Sequence, residues 1–536
     1  MEAWEARDFR TMAGRIAGIA TTDLERRIER QLEVGQIESF DVRIEGEVDQ
    51  PAVDEFDRGG EPVVDVPYAI SYESSAMSET AVLSGDLPMK YAAPESSWSV
   101  GWSKSLLWPG IEGAARFEVS TRWPKRAPIL DRHGHKLAVG AAEGRRYPFR
   151  SVGGSVVGHI GMVTKENAAE HDIAEPGDLV GGSGFEAAYE EQLAGTPAAS
   201  LAVVDGRGRR VTVLGRIAAV RGRALRTTFN AELQRAAESA FGETLGGVAV
   251  VDPRTGDLLA AVGSGAFDPS NYIGAAEVSP FNRALEGLYP PGSAMKVVTS
   301  TAALEEEVVT PETTVTGPKE YKGVRNFESG EFGPIPFATA VKYSVNTAFA
   351  QVAEKLGARR LTRYAEAFGF NVDAADGVEI ATSSFPFPEG LGDLMWASIG
   401  QAQVLATPVQ MASVAATVAN DGRRMELRID RASPPSGDRV ASRATAAQVT
   451  NLMESVVEGG TGSAARVGGL RIAGKTGTAE VDVNGKRMNH AWFIAFAPVE
   501  DPRVAVAVVS ELGGVGGEVA APLARQVLIN VLPHTE

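Results

Sequence analysis

The spacing of the apolar residues changes along this chain, and each change calls for a different kind of secondary structure. The first stretches, WEARDFRTMAGRIA and TTDLERRIERQLE, place apolar residues three and four apart and predict two short helices. From Phe40 the pattern alternates, as in FDVRIEGEV and VVDVPYAISYES, which predicts strands of an antiparallel sheet. We therefore expect residues 1–118 to form a small α+β domain.

The rest of the chain follows two further patterns. Residues 119–222 contain short strand and turn signals and few helical stretches, which predicts a β-rich platform domain. From residue 223 to 536, helical segments such as NAELQRAAESAF alternate with strands such as RVAVAVVSEL, which predicts a sheet packed with helices. A chain of 536 residues also exceeds what one hydrophobic core supports. The predicted fold class is multidomain α+β.

Charge and cysteine content exclude several classes of function. The formal charge of −17, from 69 acidic and 52 basic side chains, repels phosphate backbones, so we expect no nucleic acid partner. The absence of cysteine excludes disulfides, thiolate metal sites and a cysteine nucleophile. We also find no apolar run of about 18 residues and no signal-peptide pattern. The expectation is a protein that works without export, or one whose anchor is missing from this sequence.

The segment LYPPGSAMKVV places Ser293 and Lys296 three residues apart after a Pro-Gly break, at the start of a predicted helix. Residues three apart on a helix are neighbours, so the Lys296 amine is expected to reach the Ser293 hydroxyl. A lysine whose pKa is lowered by desolvation can activate such a serine. The alternative is an ordinary helix start, but among twelve lysines only Lys296 has a serine three residues before it.

A second polar group lies in VKYSVNTAF, between two predicted helices. Ser344 and Asn346 are expected to project the same way from a tight turn. Such a pair can pass a proton to a leaving amine and hydrogen-bond a peptide-like substrate. The alternative interpretation is an N-cap, in which either side chain caps the helix that follows.

The third group lies in the predicted strand LRIAGKTGTAEV, which precedes an Asn-Gly hairpin signal. Here Lys475, Thr476 and Thr478 can hold a substrate carboxylate, and the Thr478 N–H can face a developing oxyanion. Gly477 is expected to let a ligand backbone approach closely. The alternative is an ordinary strand interrupted by glycine.

The three groups occur in the order Ser-x-x-Lys, Ser-x-Asn, Lys-Thr-Gly, which is the motif order of penicillin-binding proteins and class A β-lactamases. Further stretches, RAPILDRHG, SGFEAAYEEQLAG, NRALEGLYPPGSAMK and HAWFIAFAP, resemble monofunctional class B penicillin-binding proteins from Arg126 to the C-terminus. The N-terminal α+β region is similar to the nuclear-transport-factor-like extension of the methicillin-resistance type. Three positions depart from these patterns: Ala127 and Ala402 replace glycines, and Val345 replaces the aspartate of β-lactamases.

This resemblance implies a pedestal, or dimerisation-type, domain over 119–222 and a transpeptidase domain with an antiparallel sheet over 223–536. It implies a D,D-transpeptidase in which Ser293 forms an acyl-enzyme and Lys296 takes its proton. Ser344 would relay that proton to the departing D-alanine. The implied catalytic residues are Ser293, Lys296, Ser344, Asn346 and Lys475, and the implied substrate-binding residues are Thr476, Gly477 and Thr478.

The resemblance also sets expectations for ligands and location. No metal or cofactor is expected, and His133 and His135, although close in sequence, do not suggest a metal site. The expected partners are peptidoglycan stem peptides ending in D-Ala-D-Ala, β-lactams, and a glycosyltransferase of the elongation or division machinery. The expected location is extracytoplasmic, with tethering to the cytoplasmic membrane by an anchor that this sequence lacks.

Several other functions share parts of these motifs. A serine β-lactamase shares the nucleophile but needs a deacylating water, and no Glu-x-x-Leu-Asn stretch lies between Asn346 and Lys475. A D,D-carboxypeptidase or endopeptidase differs in its acceptor, and the pedestal argues against it. A non-catalytic β-lactam sensor or scaffold usually carries a membrane-linked signalling domain. A bifunctional glycosyltransferase is disfavoured because the upstream regions lack its catalytic motifs.

Overall fold

The structure, a computed structural model, describes residues 2–46, 63–92, 97–111, 115–170, 174–275, 280–373 and 378–535. The chain forms two compact units, which we call the N-terminal unit (1–125 and 194–222) and the C-terminal unit (126–193 and 223–536). The predicted platform, 119–222, contributes to both units, so the domain boundaries at 118 and 222 stay predictions. No helix among the described residues is long and apolar enough to cross a membrane.

The N-terminal unit combines helices with three sheets of five, three and two strands. All strand pairs in them are antiparallel except that of Ile16–Ala17 with Ser97–Gly101, which is parallel. Its helices are Glu2–Glu5, Phe9–Ala13 and Thr21–Val34, with a 3₁₀ turn at Lys104–Leu107. Its strands are Ile16–Ala17, Ile37–Ile44, Val63–Ser74, Ala81–Ala92, Ser97–Gly101, Ala115–Arg122, Gly195–Thr196, Ala198–Asp205, Arg210–Ile217 and Val220–Arg221. The first predicted helix is therefore two shorter helices, because the chain turns between them at Arg7, which has a left-handed φ of 55°.

The core of the N-terminal unit lies between its longest helix and the sheets. Leu24, Ile28 and Leu32, each four residues apart, form the buried face of Thr21–Val34. These residues belong to an apolar cluster that also contains residues of the five-stranded and three-stranded sheets, including Tyr72 and Phe117. The rings of Tyr72 and Phe117 meet edge to face, with their centres 5.3 Å apart. The alternating pattern that predicted strands here thus supplies one buried face.

The C-terminal unit contains most of the helices. Its helices are Gly154–Val157, Gly184–Ala188, Glu190–Ala194, Ala231–Phe241, Lys296–Glu305, Phe337–Lys342, Asn346–Leu356, Ala358–Ala367, Leu391–Ala397, Pro408–Ala419, Arg443–Gly459 and Ala520–Val531. Its 3₁₀ turns are Ala142–Gly144, Ala168–Glu170, Pro269–Asn271, Gly292–Met295, Phe327–Ser329, Ser463–Ala465 and Leu532–His534. Short strands, which form small sheets of two or three, lie at Ile129–Leu130, Lys136–Ala138, Ile160–Met162, Leu179–Gly181, Leu225–Arg226, Thr314–Gly317, Glu320–Tyr321, Val324–Arg325, Phe332–Pro336, Arg423–Met425 and Gly437–Arg439.

A five-stranded antiparallel sheet forms the centre of the C-terminal unit. Its strands, in spatial order, are Leu258–Gly263, Gly246–Val251, Val504–Ser510, Lys486–Ala497 and Ala473–Val483. The Lys-Thr-Gly motif therefore lies on an edge strand, as its sequence predicted. The Asn484-Gly485 turn joins that strand to its neighbour, with both residues at positive φ (55° and 77°), as a two-residue hairpin requires.

Both faces of this sheet are buried under helices. Alternate residues of Val504–Ser510 face opposite ways, and every residue of the strand is buried. One face joins an apolar cluster with the helices Ala231–Phe241 and Ala520–Val531, and the other joins a cluster with Pro408–Ala419. This arrangement explains why the strand sequence is continuously apolar, and it confirms the predicted antiparallel sheet packed with helices.

The segment 126–193 contains a buried cluster of charges. The carboxylate of Glu186 is fully buried and accepts a hydrogen bond from Arg126 Nε at 2.8 Å and from Arg145 Nε at 2.6 Å. Arg126 also pairs with Glu190 at 2.7 Å. A buried carboxylate of this kind is stable only while its partners remain, because desolvation of an unpaired charge is expensive.

We expect Glu186→Ala to lower the free energy of unfolding by about 3–5 kcal/mol, because two buried guanidinium groups lose their shared partner. Urea unfolding of the purified protein measures this change. The matched control is Glu232→Ala, which removes an exposed carboxylate paired with Arg235 at 2.7 Å and should change stability little. Equal effects of the two substitutions would contradict the structural role of the cluster.

Candidate active site

Ser293 lies in a sharp turn at the entrance to a buried helix. The turn is the 3₁₀ segment Gly292–Met295, and the α-helix Lys296–Glu305 follows it directly. The sequence predicted Ser293 in the first turn of the helix. The observed 3₁₀ turn is wound more tightly than the α-helical turn that was expected. Residues three apart nearly eclipse one another in a 3₁₀ turn, so Ser293 and Lys296 still share one side. Ser293 is half-buried and Lys296 is fully buried.

Two hydrogen bonds to distant segments hold the Ser293 turn in place. Trp492 Nε1 donates a hydrogen bond to the carbonyl of Pro290 at 2.9 Å, and the N–H of Gly292 donates to the carbonyl of Gly400 at 2.8 Å. Gly292 has a left-handed φ of 53°, which a residue with a Cβ rarely adopts. The position of the Ser293 hydroxyl is therefore set by the fold rather than by the local helix alone.

The edge strand presses directly against this turn at Gly477. A Cβ at this position would lie 2.6 Å from the carbonyl oxygen of Pro291 and 3.1 Å from the nitrogen of Ala294. The sequence predicted that the backbone of a ligand would approach the strand closely at Gly477. The close approach in the structure is made by the chain's own turn, which brings the third motif beside the first.

The second motif lies in the turn between the helices Phe337–Lys342 and Asn346–Leu356. Ser344 has a left-handed φ of 58°, a conformation that costs a non-glycine residue about 1–2 kcal/mol. Val345 is the N-cap residue of the second helix, and the N–H of Thr347 in the first turn of that helix donates to Asn326 Oδ1 at 3.0 Å. The alternative N-cap interpretation of Ser344 and Asn346 is therefore wrong, and both side chains are used elsewhere.

The Lys296 amine bonds to this turn and not to Ser293. Lys296 Nζ contacts Asn346 Oδ1 at 2.6 Å, the carbonyl of Ser344 at 2.8 Å and the Ser344 hydroxyl at 3.1 Å. It also lies 5.0 Å from the centre of the Phe349 ring. The sequence therefore predicted the cluster correctly but assigned the amine to a different hydroxyl.

The Lys475 amine reaches the same hydroxyl from the opposite side. Lys475 Nζ contacts Ser344 Oγ at 2.9 Å and the carbonyl of Thr476 at 3.0 Å. The Ser344 hydroxyl therefore lies within hydrogen-bond distance of two lysine amines. The structure thus brings together four of the five predicted catalytic side chains by direct contact, with Ser293 one turn before Lys296.

Burial disfavours the charged form of both amines, because neither can be solvated. Burial lowers the pKa of Lys475 from 10.5 to about 7. Burial, followed by the positive charge of Lys475, holds the pKa of Lys296 well below its ordinary range. Among the described residues neither amine forms an ion pair with a carboxylate. A neutral amine has a lone pair, so it can accept a proton, which an ammonium group cannot do.

The Ser344 hydroxyl can therefore connect the two amines. A hydroxyl donates one hydrogen bond and accepts others, so Ser344 can accept from one amine while it donates to the lone pair of the other. Reversing these roles moves a proton across the cluster without moving a heavy atom. The cluster therefore contains an amine that can act as a base, a hydroxyl that can relay a proton, and a second amine. It lies beside the half-buried Ser293.

Other residues that the sequence analysis did not single out complete the site. The N–H of Gly516 donates to Thr478 Oγ1 at 3.1 Å, and the hydroxyls of Thr461 and Thr476 are 2.7 Å apart. No periodic pattern marks Thr461 or Gly516, because both lie in glycine-rich turns. These contacts orient the two threonine hydroxyls of the edge strand.

Two further details bear on the predicted residues. Asn346 Nδ2 donates to the carbonyl of Arg325 at 2.9 Å, which leaves its second N–H for another acceptor. Ala402 has a left-handed φ of 62°, a conformation that glycine adopts more readily than a residue with a Cβ.

Comparison with known families gives two matches that together cover most of the C-terminal unit. The model described as penicillin binding protein transpeptidase domain matches residues 246–529. The model described as penicillin-binding protein dimerisation domain matches residues 135–227. The first match covers more than half of the chain and includes all eight residues that the motifs predicted.

Individual relatives and solved structures agree with these matches. Peptidoglycan D,D-transpeptidase PbpA of Mycolicibacterium smegmatis is 35% identical over 58% of this chain and 73% of its own length. Peptidoglycan D,D-transpeptidase MrdA of Acinetobacter baumannii is 28% identical over 72% of this chain, which spans 65% of that relative's length. The crystal structure of Pseudomonas aeruginosa PBP2 in complex with WCK 5153 superposes with a TM-score of 0.65 at 29% identity, covering 77% of this chain and 96% of the other. PBPA from Mycobacterium tuberculosis gives a TM-score of 0.61 at 29% identity, covering 77% and 99%.

We expect the free energy of unfolding to rise with pH between about 7 and 10. In this window the unfolded chain still protonates Lys475 while the folded chain does not, so raising the pH favours the folded state. Lys475→Met should reduce the slope by up to about 1.4 kcal/mol per pH unit. Urea unfolding at a series of pH values measures the slope.

The control for this measurement is Lys319→Met, which removes a lysine that is 66% exposed and should leave the slope unchanged. A Lys475→Met protein with the same slope as the parent would show that Lys475 has an ordinary pKa.

Proposed function

Because this chain belongs to the penicillin-binding protein transpeptidase family, we propose that it is a peptidoglycan D,D-transpeptidase that works through an acyl-enzyme on Ser293. The observation that carries the proposal is the Ser344 hydroxyl, which lies 3.1 Å and 2.9 Å from the buried amines of Lys296 and Lys475. The proposed nucleophile, Ser293, lies one turn before Lys296 on the same side of the chain. Its hydroxyl needs a base to become a nucleophile, and an uncharged Lys296 is the base that this proposal assigns.

Acylation begins when the Ser293 oxygen attacks the carbonyl carbon of the penultimate D-alanine of a stem peptide. The neutral amine of Lys296 receives the hydroxyl proton as the new C–O bond forms. The negative charge that develops on the carbonyl oxygen is stabilised by the N–H groups of Ser293 and Thr478. Collapse of this intermediate breaks the C–N bond to the terminal D-alanine and leaves an ester on Ser293.

The leaving D-alanine needs a proton, which Ser344 supplies. Its hydroxyl gives a proton to the departing nitrogen and takes one from Lys296, so the proton removed from Ser293 ends on the leaving amine. Lys475, on the other side of Ser344, keeps the hydroxyl oriented for this transfer. In the second half-reaction an amine from a neighbouring stem peptide attacks the ester, and the same groups carry its proton back to Ser293.

Substrate binding uses the edge strand and the Asn346 turn. Lys475, Thr476 and Thr478 hold the terminal carboxylate of the substrate, with Gly477 between them. Because the Gly516 N–H already donates to Thr478 Oγ1 at 3.1 Å, the Thr478 hydroxyl proton is free to bind that carboxylate. The second N–H of Asn346 binds the amide carbonyl of the stem peptide.

A β-lactam acylates the same serine and leaves slowly, since its ring mimics the acyl-D-Ala-D-Ala unit and keeps its leaving group attached. Rapid hydrolysis of that ester requires a base that positions water, as in a β-lactamase. In the part of the chain that the structure describes, no carboxylate forms an ion pair with Lys296 or Lys475, and the proposal assigns no such base.

The proposed reaction places the C-terminal unit outside the cytoplasmic membrane, where stem peptides are cross-linked. In the same proposal an anchor outside this sequence tethers the enzyme to the membrane, and a glycosyltransferase of the elongation or division machinery supplies new glycan strands. In the same proposal residues 1–118 form a nuclear-transport-factor-like extension of the methicillin-resistance type. Its support is the helix Thr21–Val34 packed against a five-stranded sheet.

Incubation with benzylpenicillin should add the mass of one intact drug molecule to the protein, and the adduct should persist for hours. Ser293→Ala should abolish the adduct. The matched control is Ser300→Ala, which removes a buried serine hydroxyl without a partner from the same helix and should leave the adduct unchanged.

Intact-protein mass spectrometry over a time course measures all three proteins. Consumption of the drug without a lasting adduct would favour a β-lactamase. An adduct that survives in Ser293→Ala would contradict the assignment of the nucleophile.

A further inference from the structure

Thr461 touches two of the three motif-bearing elements at once. It lies in the turn that follows the helix Arg443–Gly459. Its N–H donates to the carbonyl of Lys342 at 3.2 Å, two residues before Ser344, and its hydroxyl lies 2.7 Å from the Thr476 hydroxyl. One residue thus connects the Ser344 turn with the edge strand.

The position of this turn is fixed by close packing. A Cβ at Gly460 would collide with the carbonyl oxygen of Lys342, so the glycine allows the turn to lie directly on the end of the helix Phe337–Lys342. The Thr461 hydroxyl is consequently held at a defined place and is not a mobile surface group. Thr461 is partly exposed, whereas Thr476 is only 5% exposed.

When two hydroxyls form a hydrogen bond, one proton lies between the two oxygens. The proton of the accepting hydroxyl remains free to donate elsewhere. Either threonine can donate in this pair. A carboxylate has no proton to give, so a hydroxyl that faces it must donate. When Thr476 donates to a carboxylate, its oxygen can still accept, and the Thr461 proton is the one placed to reach it. Such a chain strengthens each bond in it by polarisation.

We propose that Thr461 is a positioning residue for the carboxylate of the substrate: it donates to Thr476 Oγ1 and so directs the Thr476 proton to the carboxylate. This inference rests on the proposed function, because it concerns the same acylation of Ser293. It assigns to Thr461 an effect on only those substrates and inhibitors that carry a free carboxylate.

The test compares benzylpenicillin with its methyl ester, which has the same ring but no free carboxylate. For each protein, the acylation rate constant for benzylpenicillin is divided by the rate constant for the methyl ester. This ratio is measured for the parent and for Thr461→Val, which keeps the side-chain shape and removes the hydroxyl. The ratio should fall by about tenfold in Thr461→Val, since the Thr476 hydroxyl loses the hydrogen bond that directs its proton to the carboxylate. Thr461→Ser, which keeps the hydroxyl, should restore the ratio of the parent.

The ratio separates a positioning role from a structural one. Damage to folding lowers both rate constants together and leaves their ratio unchanged, so a constant ratio in Thr461→Val overturns the proposal even if that protein is less stable. The matched control is Thr310→Val, which breaks a remote hydroxyl pair with Thr313 and should not change the ratio. If the parent is acylated by neither compound, the proposed function fails and this inference fails with it.

Discussion

Two lysine amines are buried beside one serine hydroxyl, and no carboxylate neutralises either of them in the described part of the chain. An ammonium group in such a place costs several kcal/mol of desolvation energy, so the folded protein favours the uncharged amines. The rest of the C-terminal unit supplies what this requires: a buried helix for Lys296, a central sheet whose edge strand carries Lys475, and a strained turn that places Ser344 between them. The chemistry proposed for Ser293 depends on that loss of charge.

The same packing that removes water from the lysines also places the nucleophile. Gly477 lets the edge strand touch the turn that carries Ser293, so the first and third motifs form a single rigid surface. Thr461 extends this surface to the second motif through the Lys342 carbonyl and the Thr476 hydroxyl. The site is therefore preorganised by contacts between backbone atoms and small residues, which keep the three motifs close together.

The sequence predicted the parts of this structure that local patterns encode. Alternating and helical spacing predicted the antiparallel sheet packed with helices, and the Asn484-Gly485 hairpin followed from a two-residue rule. The motif lysines and the second serine were identified by spacing and order. The family matches confirm the class of transpeptidase, whereas the role of each site residue stays a prediction.

Contacts between distant segments could not be predicted in this way. Nothing in the spacing of Ser293 and Lys296 indicates that the amine bonds to a turn 48 residues away. Thr461 and Gly516 lie in glycine-rich turns, where neither periodicity nor composition marks a site. Gly477 was expected to face a ligand, because a sequence shows that space is needed but not which group fills it. The predicted boundaries of the platform segment stay predictions for the same reason. Its strands pair with segments far along the chain, and local patterns do not show such pairings.

The most direct test of this account is the protonation state of Lys296, observed by NMR titration of protein with ¹³C-labelled lysine side chains. The Lys296 signal is identified by its loss in Lys296→Met. Because burial lowers the pKa of Lys296, this signal should lose its proton at a lower pH than the signals of the exposed lysines. A Lys296 signal that titrates together with the exposed lysines would contradict the account, because a charged amine cannot take the proton of Ser293.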